Sequence, residues 1–301
     1  MNTKITCVSA LFLLSLVAPL HAAMPDPKAK PDQVQVKKAL DKIAAEVNNV
    51  ILAREKIHNR FDLLRRLKEQ GLTWQPSLIA PNNLINTLEP EKLRFFAGAK
   101  FLDALYAATF SQGKAVTDQL QTLQAINEKL DVRAYADLKG TVIDSLNKAA
   151  ANPDAMDLQK MIDDLATHYT GDISALTASE QGVRYLLDSL YGFTVETGYM
   201  LGNFHRLDPK GEGTLMKALR QPENSIVEWM EAIVALYDAY GLSNDTIIVN
   251  GQKTQKLGFI KQIIEAHHRM LKQPGYKPEN RDQVYAQADA IRTAMLTPST
   301  P

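Results

Sequence analysis

The stretch at 90–112, PEKLRFFAGAKFLDALYAATFSQ, constrains the fold more than any other part of the chain. Pro90 stands where a first helical turn tolerates proline, and Gly113 follows the last periodic residue, so the spacing predicts one helix over 90–112. Its apolar side chains point in every direction. Phe95, Phe96, Phe101, Leu102, Leu105, Tyr106 and Phe110 leave only a narrow polar arc at Lys100 and Asp103. A helix apolar all round needs neighbours on most sides, which places it inside a bundle.

A second helix of this kind is expected over 178–204, and it carries an echo of the first. Leu102-Asp103-Ala104-Leu105-Tyr106 is matched by Leu187-Asp188-Ser189-Leu190-Tyr191. Gly198 and Gly202, one turn apart on this helix, predict close approach of another helix, because glycine inside a helix costs roughly 1 kcal/mol against alanine and needs a packing reason.

The N-terminus reads as an export signal over 1–22. Lys4 precedes the apolar run VSALFLLSLV, which Pro19 ends, with small residues at Ala22 and Ala23. That run is shorter than the roughly 20 apolar residues a membrane span requires, so no stable span is expected after cleavage near Ala22. The single cysteine, Cys7, lies in the signal. Disulfides, thiolate metal sites and cysteine nucleophiles are thereby excluded from the mature chain, which suits a periplasmic or secreted protein. Basic and acidic residues balance at 34 each, so nothing draws the chain to nucleic acid.

Residues 23–31 form a proline-rich, flexible lead-in. A long helix is expected over 32–70, because Val36, Leu40, Ile43, Val47, Val50, Ile57, Phe61 and Leu64 recur with the spacing of a coiled-coil seam. Further helices are expected over 115–130, 132–151, 153–168, 225–240, 257–273 and 281–296. Capping boxes at Thr177-x-x-Glu180 and Ser225-x-x-Glu228 mark two of the starts. Thr246 to Thr254 places Asn250-Gly251 between two short strand-like runs, the pattern of a tight hairpin. The sequence thus predicts an all-α, multi-helix bundle of about nine to eleven helices with one small β-hairpin near the C-terminus. A single domain over 32–296 is expected, with two packed halves meeting near 171–177 and a disordered tail at 297–301.

Two Glu-x-x-His pairs, Glu55 with His58 and Glu265 with His268, have the spacing of di-iron bundles. Both pairs point away from the apolar faces of their helices, so no metal site is expected, and no cofactor. Phosphate loops, dinucleotide fingerprints and hydrolase elbows are absent from the sequence. The candidate ligand-binding residues are Asp103, Tyr106, Asp188, Tyr191 and His267: two carboxylates in apolar helices, two tyrosines beside them, and a histidine on an apolar face. Each carboxylate has a base one turn earlier, Lys100 for Asp103 and Arg184 for Asp188, and local ion pairs on an exposed arc would account for both. The expected function is that of an exported, non-enzymatic protein acting through a protein partner or as a structural component. The alternatives are a binding protein holding an apolar small molecule or lipid between the central helices, and an enzyme using a carboxylate or His267 as acid–base group.

Overall fold

A computed structural model describes residues 73–132, 179–207, 227–272 and 279–298, together with 34, 35, 37–39 and 41. The signal, the lead-in, most of the helix expected over 32–70, the helices expected over 132–168 and the junction near 171–177 lie outside the described residues. What is described is mostly helical. Six α-helices are joined by two short 3-10 turns, Pro76–Leu78 and Asn82–Asn86, and one two-stranded antiparallel sheet. The helices are α1 (Pro90–Thr109), α2 (Gly113–Lys129), α3 (Glu180–Leu207), α4 (Val227–Ala239), α5 (Lys256–Lys272) and α6 (Glu279–Leu296). Among the described residues no helix is long and apolar enough to cross a membrane.

Helix α1 starts at Pro90 as the sequence predicts but stops three residues early. Ser111 takes a left-handed conformation, φ 56°, and Gln112 N–H donates back to the Ala107 carbonyl at 2.9 Å. Gly113, expected as the stop, is instead the first residue of α2. Asp131 (φ 51°) ends α2 and Gly241 (φ 68°) follows α4 with the same backward bond, so glycine supplies the left-handed position in only one of these three turns. The start of α3 is corrected too. Ser179 caps it by accepting from Gly182 N–H at 3.1 Å, and Glu180 is the first helical residue rather than the third of a box opened by Thr177.

The two central helices lie against each other. Contacts advance together along both, Arg94 with Asp188, Phe95 with Tyr191, Phe101 with Phe193 and Tyr106 with Phe204, so α1 and α3 run parallel. They cross at two glycines. A β-carbon on Gly98 would fall 1.8 Å from the Ser189 carbonyl oxygen, and one on Gly192 would fall 2.0 Å from that of Phe95. Backbone therefore touches backbone here, and glycine is required on both sides. Asp103 and Asp188 consequently sit at different levels, and the Leu-Asp-x-Leu-Tyr echo does not superpose along the pair. Gly198 and Gly202 face α6, at Ala288 and Tyr285, as their spacing predicts.

The hairpin forms as expected: β1 (Thr246–Val249) pairs with β2 (Gln252–Gln255), Thr246 opposite Gln255 and Val249 opposite Gln252. Asn250 and Gly251 both take positive φ, 51° and 78°, which matches the strand twist. Ile247 and Val249 turn into the core while Ile248 faces out, 57% exposed.

Candidate functional site

Lys100 and Asp103, the polar arc expected to face solvent, are fully buried. The reason is that α1 has neighbours there as well: α2 folds back along it and the 73–89 segment lies across it. The Lys100 ammonium donates to Asp103 Oδ2 at 3.1 Å, to Gln119 Oε1 on α2 at 2.7 Å, and to the Ala80 carbonyl, beneath the Phe96 ring. Ala80 N–H in turn donates to Asp103 Oδ2 at 3.1 Å. From α3, Glu196 reaches the same layer, and from α6, Arg292 closes it. Arg292 donates through Nε to Glu196 Oε2 at 2.7 Å and through a terminal nitrogen to the Leu78 carbonyl at 3.1 Å, and its guanidinium stacks on the Tyr199 ring. Four charged groups from three helices thus share one interior, with Asp103 Oδ1 and Glu196 Oε1 left without hydrogen-bond partners among the described residues.

Burial dominates the electrostatics of this cluster. It pushes the Asp103 carboxyl up and the Lys100 ammonium down, each against the pull of the other. Burial, and then the nearby Asp103 carboxylate, push Glu196 up to about 8 although Arg292 is in contact with it.

A second network lies at the other end of the central pair. Lys256, the first residue of α5 and almost fully buried, donates to Asp188 Oδ1 at 2.7 Å and lies 2.9 Å from Glu91 and 3.4 Å from Asp245. Arg94 Nε donates to the other oxygen of Asp188 at 2.8 Å. Arg184, expected as the partner of Asp188, is engaged instead by Glu180 and Asp245. Burial pulls the Lys256 ammonium down, but Asp188 and Glu91 outweigh it and the net shift is up. This network fastens the hairpin and α5 onto α1 and α3.

The remaining expected residues scatter. Tyr106 is buried, stacks on Trp74 and accepts from Gln75 N–H at 3.1 Å. Tyr191 is buried edge-on to Phe95 and Phe259 with its hydroxyl unpartnered. His267 lies on the inner face of α5, 6% exposed, with Nε2 unpartnered, and burial lowers its pKa. Asp103, Tyr106, Asp188, Tyr191 and His267 therefore do not converge on one cavity wall. Glu265 pairs with Arg269 on the outside of α5, and His268 lies 4.0 Å from Glu231, so these two do not face each other as ligands. Among the described residues no three metal-binding side chains come together; Glu55 and His58 lie outside them. Sequence reasoning missed Gly98, Gln119, Lys256 and Arg292. Lys256 carried a weak signal, a lone cation at the junction of the hairpin and an apolar helix face.

A shallow groove of about 280 Å³ opens between the Asn82–Asn86 turn and α2, lined by Asn82, Ile85, Asp118, Gln121, Thr122 and Ala125. It holds no pair of groups poised for acid–base chemistry. No family model, curated protein or solved structure matches this chain.

Proposed function

We propose that the chain is an exported, non-enzymatic helical protein that works by contact with another protein. One observation carries this reading: the charged side chains with chemical potential on the central helices, Lys100, Asp103, Asp188 and Glu196, are closed off from solvent and committed to internal partners. Catalytic groups need access to a substrate, and these have none. The ligand-binding alternative loses support from the Gly98–Gly192 crossing, where the central helices touch and leave no space between them. An acid–base role for His267 loses support from its burial, with Nε2 unpartnered among the described residues.

The signal-like segment 1–22 supports export. The helix expected over 32–70 supplies the contacting element through its exposed positions. Ala39 is 1% exposed while Lys37, Lys38 and Asp41 face out, as expected of a helix with one side laid on the body and the other free to meet a partner. Photo-crosslinking side chains placed at 37, 38 and 41 in intact cells test this. A discrete adduct with a second protein at these positions, and none at 39, is the expected result. Adducts at none of the three, with the protein folded and exported, would remove the support. Native mass spectrometry of the purified protein addresses the alternative: extra non-covalent mass lost on denaturation would favour a bound small molecule.

A further inference from the structure

The four-group cluster between α1, α3 and α6 has a hydrogen-bond inventory that does not close. Lys100 faces three acceptors, Asp103 Oδ2, Gln119 Oε1 and the Ala80 carbonyl. Three acceptors require three protons on the nitrogen, so Lys100 is an ammonium and Asp103, its partner, a carboxylate. Arg292 is charged in any protein environment. With Glu196 ionised, two fully buried carboxylates lie in electrostatic reach of each other, and Asp103 Oδ1 and Glu196 Oε1 are both acceptors without a donor. Each such orphan has given up its hydration with nothing in return. Lys100 and Arg292 each reach one oxygen of these carboxylates and leave the other oxygen bare, and there burial disfavours the ionised form. One proton added at Glu196 Oε1 removes one of the two negative charges and turns one orphan acceptor into a donor.

We infer that the cluster is a proton-binding site: Glu196 is held in the folded protein as a neutral carboxylic acid at neutral pH, the proton sitting on the oxygen that Arg292 does not reach. The groups that face it are Asp103 and Lys100 from α1, Arg292 from α6 and Tyr199 from its own helix, with Gln119 from α2 behind Lys100. Folding then takes up a proton. An unfolded glutamate releases its proton near 4.5, and the folded one is raised to about 8. The stability this group contributes is therefore full below the unfolded value, declines as pH rises and is gone above the folded one. In Glu196→Gln the amide mimics the neutral acid and the decline disappears.

Two measurements decide it. In protein carrying carboxyl-¹³C glutamate, infrared spectroscopy at pH 7 is expected to show a protonated-carboxyl band that E196Q lacks. The melting temperature of the wild type is expected to fall by several degrees relative to E196Q between pH 6.5 and 8, and then to run level with it. Absence of the band at pH 7 overturns the inference, whether or not the variant folds. A band that persists in E196Q, or a melting temperature that tracks the variant's across this range, overturns it as well.

Discussion

At the scale of single residues, the interior charges are the most consequential feature. Lys100 and Asp103 are each other's neutralising partner at zero exposure, so removing one leaves the other desolvated and alone. Breaking a buried pair in this way costs about 3–5 kcal/mol, whereas replacing both members by apolar residues of like volume is often neutral. Asp103→Ala is therefore expected to lower stability in urea denaturation by about that amount, and the double variant K100M/D103L to recover most of the loss. Equal losses in the single and double variants would mean that the pair contributes through Ala80 and Gln119 rather than through its charges. The pairing of Lys100 with Asp103 was legible in the sequence, but the arc that carries them, expected to face solvent, is buried. Spacing along one helix reports which residues are neighbours. It does not report that the 73–89 segment covers the polar arc and offers Ala80 as both donor and acceptor.

At the scale of elements, the contrast among glycines gives a graded test. Gly98 meets the backbone of α3, whereas Gly198 meets side chains, the Ala288 methyl at 3.0 Å and the Phe259 ring at 3.6 Å. Backbone cannot rotate away, so Gly98→Ala forces α1 and α3 apart and is expected to cost more than the roughly 1–3 kcal/mol of ordinary overpacking. Gly198→Ala adds one methyl against a side chain, gains helix propensity, and is expected to cost less than G98A in the same denaturation experiment. In the hairpin, Gly251 has open space around it but sits at φ 78°, so Gly251→Ala is expected to cost about 1–2 kcal/mol through backbone strain alone. The hairpin was legible because Asn-Gly states its own geometry. The end of α1 was not, because Ser111 adopts a left-handed conformation that nothing in its side chain announces. The Gly98 crossing was hidden for a different reason: close approach belongs to two segments at once, and a glycine in one helix does not say which other helix it meets.

At the scale of the whole molecule, two buried groups set opposite limits on pH tolerance. His267 is buried with its pKa lowered, so the unfolded chain takes up a proton that the folded one resists. Stability from this group is present above the ordinary histidine value near 6.5 and is lost as pH falls below it. His267→Leu is expected to flatten the acid side of a plot of melting temperature against pH while leaving the alkaline side to Glu196. An unchanged acid limb would assign it to carboxylates elsewhere. That the described residues are mostly helical, with a small two-stranded hairpin, was readable from periodicity and turn chemistry. The arrangement of charges was not, since Glu196 and Arg292 lie far apart in sequence and meet only because α6 runs back along α3.

The parallel packing of α1 and α3 also bears on how the chain reaches this state. Parallel neighbours cannot be joined by a tight turn, so their contact closes a long loop, and long-range contacts of this kind are slow to form. Helices α1 and α2 can pair at once through the short Phe110–Gln112 link, but the Gly98–Gly192 crossing must wait for the chain that lies between them. Arg292, which donates to Glu196 and fills the open side of the cluster, is carried by α6. A chain emerging from its N-terminus therefore has no finished interior around α1 and α3 until α6 has emerged, and any version truncated before α6 lacks the guanidinium that closes this interior.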